Sequence, residues 1–166
     1  MLANMTRTSA VLLKGRILMT DSHNRLINLL QQNARATITE LAKKLFISNP
    51  SVSAKLHKLE KEHYITGYQA QINHRKLGYH IKAYIMINVA PADKPDFQQY
   101  IEASPNIIFA DVITGAYSIL MCAYFQESED LENFINEVQR FGRTQTNMVF
   151  STLLAQRGIA LDESDT

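Results

Sequence analysis

Apolar positions in the first half of the chain recur at helical spacing. From Asp21 to Asn33, Leu26, Ile27, Leu29 and Leu30 fall on one arc of a helix, with Thr20, Asp21 and Ser22 as N-cap candidates. A second helix is predicted to open at Thr37-Ile38-Thr39-Glu40, a capping box, and to run through Leu41, Ala42 and Leu45. Phe46-Ile47 leads away from it. Ser48 is expected to cap a third helix, with Pro50 in its first turn, where a missing N–H costs nothing. Val52, Leu56 and Leu59 stand at i, i+4 and i+7 and form that helix's buried stripe. Three short helices with a tight link between the second and third make a helix-turn-helix. Tyr64 to Ile72, aromatic and β-branched around Gly67, reads as a short strand pair or wing, and a linker through Asn73 and Gly78 follows.

Beyond Tyr79 the period changes to two. His80 to Ala90 is predicted as a strand with Ile81, Ala83, Ile85, Ile87 and Val89 on one face. A helix is expected from Asp93 with Phe97, Tyr100 and Ile101 inward, stopped by Ser104-Pro105. Strands are predicted over Ile107–Thr114 and Tyr117–Phe125 around a Gly115-Ala116 turn. Ser128 is expected to cap a helix with Leu131, Phe134, Ile135 and Val138 buried and Gly142 at its end, before a last strand over Thr144–Ala155. The order β-α-β-β-α-β is the ferredoxin-like arrangement, so the fold class is α+β. Tyr117 to Phe125 is apolar at nearly every position, which predicts burial on both sheet faces. Two helices cover only one face, so the other is expected to meet a second copy of the chain.

Composition changes the picture in one respect. The net charge of +1 conceals a division: residues 1–79 carry 12 Lys or Arg against 4 Asp or Glu, and residues 80–166 carry 5 against 12. A basic half followed by an acidic half predicts that the first alone meets a polyanion. Cys122 is the only cysteine, which excludes an internal disulfide or a Cys-based zinc site and fits a reducing cytoplasm. His23, His57, His63, His74 and His80 show no paired ligand spacing, and no metal or cofactor is expected. No apolar run approaches the ~20 residues of a membrane span. Residues 1–19 are uninformative, and Met5 and Met19 are alternative starts. The expected division is 20–72 for DNA binding, 73–79 as linker, 80–156 for assembly and effector binding, and 157–166 as tail.

At this point the sequence resembles the leucine-responsive/asparagine-regulator (Lrp/AsnC) family of transcription regulators over roughly residues 20–155. The resemblance is carried by Leu26-Ile27, Leu30 through Arg35, Glu40-Leu41-Ala42, Ile47-Ser48, Val52, Leu59-Glu60, Ile65 through Tyr68 and Leu77-Gly78-Tyr79. In the second half it continues in Pro105, Thr114 through Tyr117, and Thr144-Gln145-Thr146. The resemblance implies a winged helix-turn-helix joined to a ferredoxin-like effector domain that dimerises through its sheet and often builds tetramers or octamers. It also implies an amino acid bound between dimers near the turn after the second effector strand.

On this reading the third helix enters the major groove of double-stranded DNA. Its outward arc holds Pro50, Ser53, Ala54, His57, Lys58 and Lys61, flanked by Ser48, Asn49, Ser51 and Lys55. Ser51, Ser53 and His57 suit base edges, and Lys55, Lys58 and Lys61 suit phosphates, with Arg35, Lys43 and Lys44 as further phosphate neighbours. Family members often place Arg where Ala54 and Lys55 stand here, and Lys cannot make the bidentate contact to guanine, so readout leans on DNA shape. The effector residues implied are Thr114, Gly115, Ala116, Tyr117 and Ser118. The family pattern usually has aspartate at the position of Ser118. A neutral hydroxyl there means that the ligand is held differently, is not an ordinary amino acid, or is absent. Two other classes compete. A tetrapyrrole-modifying enzyme on the same two-part fold lacks any catalytic pair in the effector half, where Asp111 and Glu137 read as surface charges. An RNA-binding sheet is disfavoured by the acidity of that half.

Overall fold

A computed structural model describes residues 21–163. Thr20, residues 1–19 and the alternative starts at Met5 and Met19 lie outside the described residues. The chain divides into two compact units, residues 21–70 with 156–163, and residues 71–155.

The first unit contains α1 (Asp21–Gln32), α2 (Ile38–Leu45) and α3 (Asn49–Lys61). Their apolar stripes meet in one core of Leu26, Leu30, Leu41, Ala42, Leu45, Val52 and Leu59, with Leu56 and Ile65 packed at its margin. Each fully buried Leu contributes roughly 1.5–3 kcal/mol by leaving water. The Thr37 box forms as the spacing requires: the Thr37 N–H donates to Glu40 Oε2 at 2.7 Å and the Glu40 N–H to Thr37 Oγ1 at 3.2 Å. Phe46 closes α2 in the left-handed region at φ 56°, which reverses the chain within a few residues. Ser48 then caps α3, and Pro50 sits in its first turn.

The strand pair expected over Tyr64–Ile72 is a correction. Residues 64–72 contain no strand pair. The amides of Tyr64 and Ile65 turn back onto the Leu59 carbonyl, and the Tyr68 hydroxyl donates to Glu60 at 3.0 Å. The first two amides of the segment are thus bonded to the end of α3 and are not available to a hairpin ladder.

The second unit orders its sheet β2-β3-β1-β4, all antiparallel, from β1 (Ile81–Val89), β2 (Ile107–Val112), β3 (Ile119–Phe125) and β4 (Gly142–Met148). Two helices, α4 (Lys94–Ala103) and α5 (Ser128–Val138), form the crossovers, giving the ferredoxin-like order. Ala83, Ile85, Ile87 and Val89 of β1 and Ile119, Met121, Ala123 and Phe125 of β3 pack against Phe97, Leu131, Phe134 and Val138.

Four local readings change. Glu127, still extended, is the residue before α5, and the Asp130 carboxylate accepts its N–H at 3.1 Å, so Ser128 is already helical and is not the cap. Gly142 does not end α5: a 3-10 turn, Gln139–Phe141, intervenes and Gly142 opens β4. There φ is 154°, and a Cβ would run into the Asn88 carbonyl of the adjacent strand. The last strand stops at Met148 instead of Ala155, because β4 pairs only with β1 and Met148 already lies opposite Ala83, near the start of β1. Likewise β2 ends at Val112, opposite Ile119, where β3 begins.

The linker residues fold onto the sheet. His74–Leu77 forms a 3-10 turn capped by the Asn73 side chain, and Gly78 leaves it at φ 90°. The His74 ring stacks on Tyr124 with centroids 4.1 Å apart. Tyr124 belongs to the sheet face opposite the helices, with Tyr84, Met86, Leu120 and Cys122. None of these joins the helix-side core cluster.

Candidate nucleic-acid interface and effector turn

Packing of Val52, Leu56 and Leu59 into the three-helix core fixes the rotation of α3 and leaves Ser53, Ala54, His57, Lys58 and Lys61 exposed. At its N-terminus the Ser48 and Ser51 hydroxyls lie 2.8 Å apart, and Ser48 Oγ accepts the Ser51 N–H at 3.3 Å. Asn49 Nδ2 donates to Thr39 Oγ1 on α2 at 3.3 Å, which ties the two helices across the turn. These bonds cap the first turn of α3 and fasten it to α2.

The cations separate by partner. Lys55 Nζ donates to Ser22 Oγ at the start of α1, at 2.9 Å, and is only half-exposed. Lys58 faces Glu62 one turn on, at 3.9 Å. Both lie near His23, whose pKa is lowered first by burial and then by the Lys55 and Lys58 charges, with Glu62 opposing. Lys61, Lys43, Lys44 and Arg35 are exposed. Lys43 and Lys44 occupy the last turn of α2, where cations also complement the helix dipole. The structure therefore brings Ser53, Ala54, His57 and Lys61 onto one free face and turns Lys55 toward α1. Helical periodicity places Lys55 at the flank, but only the position of α1 reveals its bond.

In the second unit, Thr114, Gly115 and Ala116 are exposed in the turn between β2 and β3, with Gly115 at φ 119°, a conformation other residues rarely adopt. Tyr117 is half-buried. Ser118 extends the β1–β3 ladder beyond its last pair: its N–H donates to the Ile87 carbonyl at 3.1 Å, and its carbonyl accepts from Ile113 at 2.9 Å. Its hydroxyl accepts the Val89 N–H at 3.0 Å and reaches the Ile87 carbonyl at 3.3 Å. The Ser118 hydroxyl thus serves the end of β1. Two open depressions of this unit, about 480 and 550 Å³, lie beside α4 and α5 and include none of residues 114–118 in their walls.

A three-helix unit with an exposed basic third helix, joined to a ferredoxin-like unit with a glycine turn at its sheet end, is the make-up of a DNA-binding regulator. Comparison with known proteins makes this specific. Residues 19–66 match the model of the winged helix-turn-helix DNA-binding family, and residues 82–159 match the Lrp/AsnC ligand binding domain. The chain is 30% identical over 133 residues to the transcriptional regulator LrpC of Bacillus subtilis, covering 80% of this chain and 92% of that protein. The solved structure of B. subtilis LrpC superposes with a TM-score of 0.78 at 29% identity, over 81% of this chain and 96% of that one. A Neisseria meningitidis regulator solved as an L-Met complex shares the fold, with a TM-score of 0.79 at 19% identity over 87% of this chain and 96% of that one. The chain belongs to the Lrp/AsnC family and is a DNA-binding transcriptional regulator, not an enzyme. The tetrapyrrole-enzyme reading finds no support among these relatives. Among the described residues, no helix is long and apolar enough to cross a membrane.

Proposed function

We propose that this regulator works in the cytoplasm as a homodimer or a higher assembly of dimers. Residues 20–72 bind operator DNA through α3, 73–79 connect, and 80–156 associate and respond to a small ligand. The observation that carries the DNA reading is the exposed Ser53–Ala54–His57–Lys61 face of a helix whose opposite stripe is locked in the core. Ser53 and His57 supply donors and acceptors for base edges, and Lys61, Lys43, Lys44 and Arg35 supply phosphate contacts. With the apolar Ala54 on this face, base readout is sparse and DNA deformability contributes to specificity.

Self-association rests on the sheet face of Tyr84, Met86, Leu120 and Cys122, which no helix of this unit covers. The ligand is amino-acid-like, as suggested by the ligand-binding family match and by the L-Met bound to the Neisseria relative. Because the Ser118 hydroxyl already serves β1, backbone groups of Thr114, Gly115 and Ala116 and the Tyr117 hydroxyl make the contacts, completed by residues of a second copy.

Fluorescence anisotropy on duplex DNA from upstream of the protein's own gene, with a scrambled duplex as control, tests the reading. Preferential binding is expected to weaken steeply with salt. The Lys61→Ala variant is expected to lower the slope of log affinity against log salt by about 1, whereas Lys55→Ala changes it little. Equal slopes for the wild type and Lys61→Ala remove Lys61 from the interface. A panel of free amino acids in the same assay identifies the ligand by a shift in affinity.

A further inference from the structure

Helix α1 carries a second stripe, separate from its buried Leu26 and Leu30. Asn24, Asn28 and Gln31 stand at i, i+4 and i+7 and so share one face. All three carboxamides point at the main chain of the segment that follows the effector unit. Asn28 grips one residue from both sides: its Nδ2 donates to the Leu161 carbonyl at 2.8 Å, and its Oδ1 accepts the Leu161 N–H at 3.0 Å. Asn24 Nδ2 donates to the Asp162 carbonyl at 2.9 Å, and Gln31 Nε2 to the Ile159 carbonyl at 3.1 Å. The Glu163 carboxylate adds an acceptor for Asn28 Nδ2 at 2.7 Å and an ion pair with Arg25 Nε at 3.8 Å. At the other end, a Cβ on Gly158 would meet the Gln31 side chain, which would have to give up its place over the segment.

The chemistry is that of backbone recognition. A side-chain amide that both donates to and accepts from one residue imitates a neighbouring strand, and the helical spacing repeats the contact along an extended peptide. We propose that α1 presents a docking surface for an extended peptide bearing a carboxylate, and that its occupant is the chain's own segment 158–163. Docking places Asp162 and Glu163 on the basic unit and engages Arg25, so the strap withholds one cation from a polyanion and lowers the unit's positive field. The segment leaves the effector unit after β4, which makes it a second covalent route by which that unit reaches the DNA-binding unit.

The test is amide hydrogen exchange on the isotopically labelled full chain, a readout that needs no DNA. The Leu161 amide is expected to exchange at least roughly tenfold more slowly than in a free peptide of the same sequence. Asn28→Ala and Gly158→Val should each return it to the free-peptide rate while the Leu30 amide of α1 stays slow. Gly158→Val leaves α1 itself untouched, which separates undocking from a damaged helix. Free-peptide exchange at Leu161 in the wild type, or unchanged protection in both variants, overturns the proposal. Mixing labelled wild type with excess unlabelled Asn28→Ala tests the occupant: retained protection supports docking on the same chain, and lost protection overturns it in favour of exchange between copies. Both variants should also bind a scrambled duplex roughly threefold more tightly at low salt. Unchanged affinity there overturns the shielding role.

Discussion

His23 sits where α1 begins, beside Lys55 and Lys58 of α3, and shows how one residue's protonation becomes a property of the whole unit. Burial and then the two lysine charges lower its pKa below the ordinary 6.5, with Glu62 opposing. In the unfolded chain the imidazole takes up a proton as pH falls through 6.5, whereas the folded chain resists. The stability tied to His23 is therefore fully present above 6.5 and declines with acidification from that value down to the lower folded pKa. Thermal melts of the wild type and His23→Gln from pH 8 to pH 5 check this. The difference between the two should change across that window, and parallel curves would remove His23 as its source. Nothing in the sequence announces this cluster. His23 and Lys55 are far apart along the chain, and α1 must pack on α3 before they meet.

At the scale of elements, the helices of the first unit were legible because their signals are local. The Thr37–Glu40 box, the Ser48 cap and Pro50 in the first turn of α3 each act within four residues, and each forms as spaced. Thr37→Ala removes the side-chain acceptor for the Glu40 N–H and should cost about 1 kcal/mol of unfolding free energy. Urea denaturation followed by circular dichroism measures it, and a loss of under a few tenths would mean that water replaces the cap at no cost. Strand ends were less legible. A strand ends where its neighbour ends, so the stop of β4 at Met148 depends on where β1 begins, information held far away in the chain. The strand pair expected after α3 does not form, for a related reason. Tyr64–Ile72 has strand-forming residues, but the end of α3 claims the amides of Tyr64 and Ile65.

For the whole molecule, the question is what covers the sheet face opposite α4 and α5. Cys122 has no exposure and burial pushes its thiol pKa up, so it behaves as an inert apolar side chain between Tyr84, Phe109 and Tyr124. A second copy placed over this face buries the remaining area of Tyr84, Met86 and Leu120. Leu120→Lys sets a charge in that face and is expected to reduce the sedimenting mass to that of one chain, with far-UV circular dichroism retained. A folded variant of unchanged mass would move the interface elsewhere.

Periodicity, caps and breakers determined the elements, their order and the fold class, because each depends on residues a few positions apart and on the tendency of apolar faces to leave water. The same pattern named the exposed arc of α3, since a helix with one stripe in a core has a predictable opposite side. Tertiary structure alone decided which of those residues are free to act. It gave Lys55 to Ser22, spent the Ser118 hydroxyl on the end of β1, laid the linker turn against Tyr124 and returned residues 158–163 to α1. These are hydrogen bonds and ring contacts between groups distant in the chain. Their partners are set by the packing of whole elements, which no local pattern encodes.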